Sequence, residues 1–236
     1  MGACKMNDAA GSANSYSTPE DRFAAKLRGF GPLGILAALV IAAGQILAPL
    51  SAVLVLVWAR LSRTPWREIG YVRPKSWMGS LVAGVAFGIL FKFLMKALVM
   101  PLLGANPTNQ TYHYLVGNWT ALAAAVWTML VVGGFGEETV FRGYMFERLG
   151  KLLGRSLTAR IATVLVTAAL FASLHYFDQG LPGAEQAIIT GLVFGTVFAF
   201  TGRLWMLMCA HAAFDLTAVA IIYWNLESAV AHLVFK

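Results

Sequence analysis

Residues 121–149, ALAAAVWTMLVVGGFGEETVFRGYMFERL, run from an apolar stretch directly into two adjacent glutamates, Glu137 and Glu138. No proline interrupts the stretch, so the apolar segment and the glutamates are predicted to lie on one continuous helix. Ionisable groups at bilayer depth are costly unless they meet one another or water, and they commonly mark a functional site. The stretch therefore predicts a site inside a membrane.

The composition supports a membrane location. The chain has 236 residues, of which 58% are hydrophobic and 12% charged, whereas soluble domains carry about 25% charged residues. The net charge of +7 does not indicate a nucleic-acid partner, because the basic residues lie in loops between apolar runs. This is the pattern of an integral, multi-pass protein whose surroundings are the lipid bilayer.

Apolar runs of about 20 residues predict membrane-spanning helices. Six such runs give an all-α, polytopic membrane helix bundle of about six transmembrane helices. The predicted spans cover about 33–58, 81–103, 121–135, 161–177, 184–200 and 204–223, and the third continues as helix towards Leu149.

Alternate loops are basic, which predicts the orientation of the bundle. Residues 60–75, 148–160 and 201–203 contain arginine or lysine, whereas 104–118 and 178–183 contain neither. The positive-inside rule assigns the basic loops to the cytoplasm. The protein is accordingly expected in a cytoplasmic membrane, and a bacterial one is our interpretation.

The N-terminal part conflicts with this orientation. Residues 1–29 are predicted to be a polar segment that is disordered or lies on a surface, and 30–236 a single transmembrane domain. Arg22, Lys26 and Arg28 precede the first span, so the N-terminus also resembles a cytoplasmic segment. Either residues 20–30 form a basic helix on the outer side, or 31–59 form a tight or re-entrant hairpin, which would change the number of spans.

The two glutamates are predicted to have different partners. Glu138 and Arg142 are four residues apart with the acid first, the favoured order for an ion pair along a helix. Arg142 is expected to neutralise and support Glu138. Glu137, about 100° round the helix, then faces a different partner. Glycines just before the pair allow neighbouring backbones to approach closely: Gly133, Gly134 and Gly136.

Two further motifs lie on later helices. Phe171-Ala-Ser-Leu-His175 falls in the fourth predicted span, and His211-Ala-Ala-Phe-Asp215 falls in the sixth. A single histidine in an apolar run is more often structural than catalytic. Three motifs in this order, on successive helices, favour a shared catalytic site.

A carboxylate with two histidines can activate water in two ways. Without a metal, Glu137 is the general base and His175 orients the water. His211 and Asp215 then stabilise the oxyanion. With a metal, Glu137, His175 and His211 form a two-histidine, one-carboxylate zinc site, and Glu138 is the base. The residues leave both schemes open, so the cofactor is either none or a divalent metal such as zinc.

Lys92 and Lys96 lie within the second span, one helical turn apart. The favoured interpretation is that they extend towards the interface or line a wet cavity. The alternative is that they meet a substrate carboxylate or an acid of the site.

The motifs Glu137-Glu138-Thr-Val-Phe-Arg142-Gly-Tyr, Phe171-xxx-His175 and His211-xxx-Asp215 resemble the signatures of the CAAX-protease and bacteriocin-processing family. These intramembrane endopeptidases are related to the type II CAAX prenyl endopeptidases. The resemblance covers about 118–223. It implies an all-helical protease that cuts a membrane-associated, in some cases prenylated, peptide or protein near its C-terminus or in its leader.

The resemblance also implies roles and alternatives. It makes Glu137 and His175 the water activators, with His211 in support. The third motif commonly ends in Asn, and Asp215 takes that place here. An ionised Asp cannot donate a hydrogen bond to an oxyanion. Either Asp215 is protonated by its apolar surroundings, or it orients His211, which is the favoured interpretation. The alternatives are a catalytically silent relative, acting as a scaffold or a bacteriocin self-immunity protein, and a small transporter. The oligomeric state is not readable from the residues.

Overall fold

The computed structural model describes residues 18–47 and 49–235. The fold is an all-α bundle that is 80% helical, with no strand in those residues. We number the helices in chain order: α1 Pro19–Arg28, α2 Pro32–Ala43, α3 Leu50–Leu61, α4 Trp77–Leu102, α5 Trp119–Leu153, α6 Leu157–Thr201, α7 Trp205–Tyr223 and α8 Glu227–Ala231.

Four helices, α4 to α7, are long and apolar enough to cross a bilayer, and the number is five if α1 and α2 count as one bent span. The predicted all-α polytopic bundle is confirmed, and α6 counts here as one element although it contains two of the predicted spans. The first predicted span differs from the structure. Residues 33–58 do not form one helix, because α2 and α3 are separate helices of twelve residues each. Each is about 18 Å long, too short for a hydrocarbon core of about 30 Å.

The predicted fourth and fifth spans are the two arms of α6. The backbone breaks at Gly180, whose φ of 67° and ψ of −160° are not helical. The arms then run antiparallel, since a Cβ added at Gly191 would lie 3.0 Å from Ala168 and one added at Gly195 would lie 3.4 Å from Val164. Both predicted helices therefore exist within one merged element.

The N-terminal helix packs on the side of the basic loops. The Trp58 Nε1 donates a hydrogen bond to the Leu27 carbonyl at 3.2 Å, and Arg28 pairs with Glu68. Arg148, at the far end of α5, donates to the carbonyls of Arg28 and Gly29. The start of α2 and the end of α3 thus lie together, which supports the hairpin over an outer-side helix.

The prediction for residues 1–29 is partly outside the described residues, since 1–17 are not described. Within 18–29 the segment is not disordered. The Thr18 hydroxyl caps α1 by accepting from the Asp21 N–H, and the Asp21 carboxylate accepts from the Thr18 backbone N–H. This capping box satisfies backbone donors that a helix N-terminus leaves unpaired.

Helices α4, α5 and α7 pack closely enough to position the site. A Cβ added at Gly88 of α4 would lie 2.1 Å from the Ala210 carbonyl of α7. One added at Gly134 of α5 would lie 2.8 Å from Ala212. The glycines therefore bring the backbones within direct contact, as predicted for Gly134.

Candidate active site

The two glutamates lie on a widened segment of α5. Residues Met129–Tyr144 form a π-helix, and the Met145 N–H donates to the Val140 carbonyl five residues earlier. Such segments are rare, usually short, and frequent at functional sites. The predicted continuous helix through the glutamates is confirmed, with a wider turn than an α-helix has.

Glu138 is held on two sides. Its Oε1 accepts a hydrogen bond from Arg142 Nη1 at 2.9 Å, and the two side chains are 0% and 2% exposed. The predicted ion pair is therefore confirmed. The same Oε1 lies 2.7 Å from His211 Nδ1. An ionised carboxylate only accepts, so Nδ1 donates and Glu138 fixes the orientation of the His211 ring.

The other nitrogen of His211 faces a second pair of acids. Its Nε2 lies 3.5 Å from Glu137 Oε2 and 3.5 Å from Asp215 Oδ2. The side chains of Glu137 and Asp215 are 23% and 22% exposed, and both line a cavity. The predicted divergence of the two glutamates is thus present: Glu138 faces the helix interface and Glu137 faces the cavity.

Gly133 makes room for Asp215. A Cβ at Gly133 would lie 2.6 Å from Asp215 Oδ2, closer than non-bonded atoms approach. The role expected for Asp215, orienting His211, is performed at hydrogen-bond distance by Glu138 instead. The reason is geometric, because Glu138 reaches Nδ1 across the α5–α7 contact at 2.7 Å.

His175 enters the same cavity from α6. Its Nδ1 lies 2.9 Å from the Phe171 carbonyl. Since a carbonyl only accepts, Nδ1 carries the proton, and Nε2 of the neutral ring remains as an acceptor. The Phe171 ring packs at 4.3 Å from the imidazole. Phe171 therefore fixes the orientation of the His175 ring with its own ring and the tautomer with its carbonyl.

The cavity has a volume of about 690 Å³ and extends from Glu137, His175 and Asp215 to the loop at 105–112. Its size is within the range of about 300–1,000 Å³ that is usual for ligand sites. Tyr112 of that loop lines it, and burial raises the pKa of Tyr112 to about 12. The phenol is therefore protonated at neutral pH and can donate a hydrogen bond into the cavity.

The predicted metal set does not fit this geometry. In residues 18–47 and 49–235, no three side chains of His, Cys, Asp or Glu are arranged to hold a metal ion. Glu138, the base of the metal scheme, does not line the cavity. We therefore derive no catalytic step through a metal.

Several residues that shape the cavity were not singled out by sequence reasoning. Gln186 and Glu227 contact the two lysines of α4, and Tyr112 lines the same cavity. None belongs to a motif, and no spacing signal could have found them. Lys92 and Lys96 do line the cavity, as the favoured interpretation predicted.

Comparison with protein families agrees with this site. The model of the family described as "Type II CAAX prenyl endopeptidase Rce1-like" matches residues 118–217, which hold all three motifs. That part of the chain is therefore similar to this family of intramembrane proteases. The match supports a CAAX-type intramembrane protease activity in general terms. No curated protein and no solved structure matches the chain.

Proposed function

We propose that this integral membrane protein hydrolyses a peptide bond near the C-terminus, or in the leader, of a membrane-associated protein or peptide. A prenylated chain is one substrate class that the family match favours. One observation carries the proposal: Glu137, His175 and Asp215, from three different helices, line one cavity. We further propose that the protein resides in a bacterial cytoplasmic membrane.

In the proposed mechanism, Glu137 removes a proton from a water molecule as that water attacks the scissile carbonyl. His175 Nε2 accepts the second hydrogen of the water and so orients it. In the described residues, no carboxylate oxygen lies within 4.0 Å of a His175 ring nitrogen, so its Nε2 is not already paired with an acid. Glu137 then passes the proton to the leaving amine.

The oxyanion that forms on the scissile carbonyl requires a hydrogen-bond donor. In its protonated form, His211 donates from both nitrogens, Nδ1 to Glu138 and Nε2 towards Glu137 and Asp215, which line the cavity. Nε2 is therefore the proposed oxyanion donor, and Glu138 with Arg142 holds the ring in place. Preorganised donors of this kind contribute about 10²–10³ in kcat.

The convergence of charges supports a catalytic site over a transporter. A proton relay requires ionisable groups at successive depths across the bilayer. Here three carboxylates lie within 3.5 Å of one imidazole. A catalytically silent relative would have the same arrangement, so only a measurement of turnover distinguishes it from an active protease.

The experiment is hydrolysis of a quenched, prenylated peptide library by the purified protein in detergent. Wild type is compared with Glu137→Gln and with the control Glu185→Gln, which removes a carboxylate of α6 outside the cavity lining. We expect cleavage by wild type and the control only, with and without a chelator. Full turnover by Glu137→Gln would contradict the mechanism. Loss with chelator would favour the metal scheme, and no cleavage by any variant would favour a silent relative.

A further inference from the structure

The cavity holds two lysines of α4 that are not equivalent. Lys96 Nζ lies 3.1 Å from Glu227 Oε1 and also donates to the Pro107 carbonyl. Glu227 Oε1 accepts a further hydrogen bond from the Asn109 N–H at 2.9 Å. Lys96 is thus neutralised within the protein, where it ties α4 to α8 and to the loop at 105–112.

Lys92 has no acid at ion-pair distance, and Asp215, farther away, is the acid whose charge acts on it most. The residue is 6% exposed, and its Nζ donates to Gln186 Oε1 at 2.8 Å. Among the residues that the structure describes, no carboxylate oxygen lies within 4.0 Å of this ammonium. The Phe214 ring, 4.6 Å away, offers cation–π attraction, which offsets only part of the cost of burying a charge.

A buried ammonium with a neutral partner is a site for an anion. Gln186 gives its carbonyl oxygen to Lys92, so its amide group remains a donor. Lys92 and Gln186 both line the cavity that contains Glu137 and His175. Phe214, on which the ammonium lies, is adjacent in sequence to Asp215. The anion position therefore adjoins the site of proposed hydrolysis.

We propose that Lys92, with Gln186, binds the free C-terminal carboxylate of the substrate and so selects scissile bonds close to a chain end. This inference rests on the proposed protease function. A carboxylate fits better than a phosphate monoester because the cavity already contains two acids, Glu137 and Asp215, which disfavour a second negative charge on the ligand.

The first test uses peptide pairs that differ only in ending with a carboxylate or a carboxamide. For wild type, we expect kcat/KM to fall at least about tenfold on amidation, chiefly through KM, because a charge-assisted hydrogen bond is lost. Lys92→Met should cleave both peptides with equal, reduced kcat/KM. The matched control, Lys96→Met, should retain the preference for the acid.

Either of two outcomes would overturn the proposal: equal cleavage of both peptides by wild type, or a preserved preference for the acid in Lys92→Met. Met is close to Lys in length and apolar, so the bundle is expected to accept it. Thermal unfolding in detergent verifies folding before the comparison is made.

A second test does not require turnover. A pool of N-acetylated tripeptides, as free acids or as amides, is added to Glu137→Gln protein while its thermal unfolding is followed. We expect the acids alone to raise the unfolding temperature, and Lys92→Met in the same background to abolish the rise. If wild type cleaves nothing but this result holds, the protease proposal fails and the anion site remains. Equal effects of acids and amides would exclude the anion site.

Discussion

Two groups of polar side chains flank His211 and differ in almost every physical respect. On one side, Glu138 and Arg142 are essentially unexposed and joined at 2.9 Å, with Glu138 bonded to Nδ1 at 2.7 Å. On the other side, Glu137 and Asp215 are about a fifth exposed and lie 3.5 Å from Nε2.

The difference separates positioning from chemistry. Buried charges persist only when paired, and a paired charge is a poor proton acceptor. Groups that face a cavity without close partners remain available to water and substrate. Two adjacent glutamates on one helix therefore carry out unlike tasks because one faces a helix interface and the other a cavity.

The largest expected effect is the difference between the Glu137→Gln and Glu138→Gln variants in activity and stability. Glu137→Gln should lower kcat by about 10²–10⁴, the usual contribution of a general base, with an unchanged unfolding temperature. Glu138→Gln should lower both activity and stability, because it removes the negative charge that Arg142 and His211 share. Steady-state kinetics and thermal unfolding of both variants measure this. Identical behaviour of the two variants would contradict the division into two groups.

The next effect is on the free energy of unfolding and concerns only the ion pair of Glu138 and Arg142. Arg142→Met leaves Glu138 as a buried carboxylate without its cation, at a cost of about 3–5 kcal/mol in the free energy of unfolding. Combining it with Glu138→Gln should recover part of that loss. Denaturant titration in detergent gives the values, with Arg160→Met, at an exposed position of α6, as the control. An unfolding free energy equal to that of the control would show that the pair is not structural.

A smaller effect is expected at Gly133. Alanine there would push the Asp215 carboxylate from its position beside His211, and kcat should fall about ten- to a hundredfold through misplacement. At Gly134 the added methyl instead meets Ala212 and the Met208 backbone, so Gly134→Ala should lower stability. Kinetics and thermal unfolding of the two variants distinguish these outcomes. Reversed behaviour would place Asp215 outside the reaction.

The smallest effect is expected for Asp215→Asn. An amide can donate to an oxyanion where the carboxylate cannot, so kcat should rise by less than about tenfold while folding is retained. Cleavage rates at saturating substrate measure it. A large fall in kcat would show instead that the carboxylate itself is required.

Much of this protein is predictable because its strongest signals are local. Long apolar runs indicate α4, α5, α7 and both arms of α6, since the bilayer demands long stretches of apolar residues. The spacing of Glu138 and Arg142 indicates their pairing because both lie on one helix. The N-terminal hairpin was one of two alternatives that the basic residues left open. The length of the apolar run over 33–58 by itself favoured a single span.

By itself, the sequence determined the helical membrane class, the three motifs and the division between the two glutamates, because each depends on residues close together in the chain. Only the tertiary structure decided that Glu138 rather than Asp215 orients His211, and that Lys96 has an acid partner while Lys92 does not. Those outcomes depend on how α4, α5, α7 and α8 approach one another, and contacts of a few ångströms between distant segments leave no periodic signal in the chain.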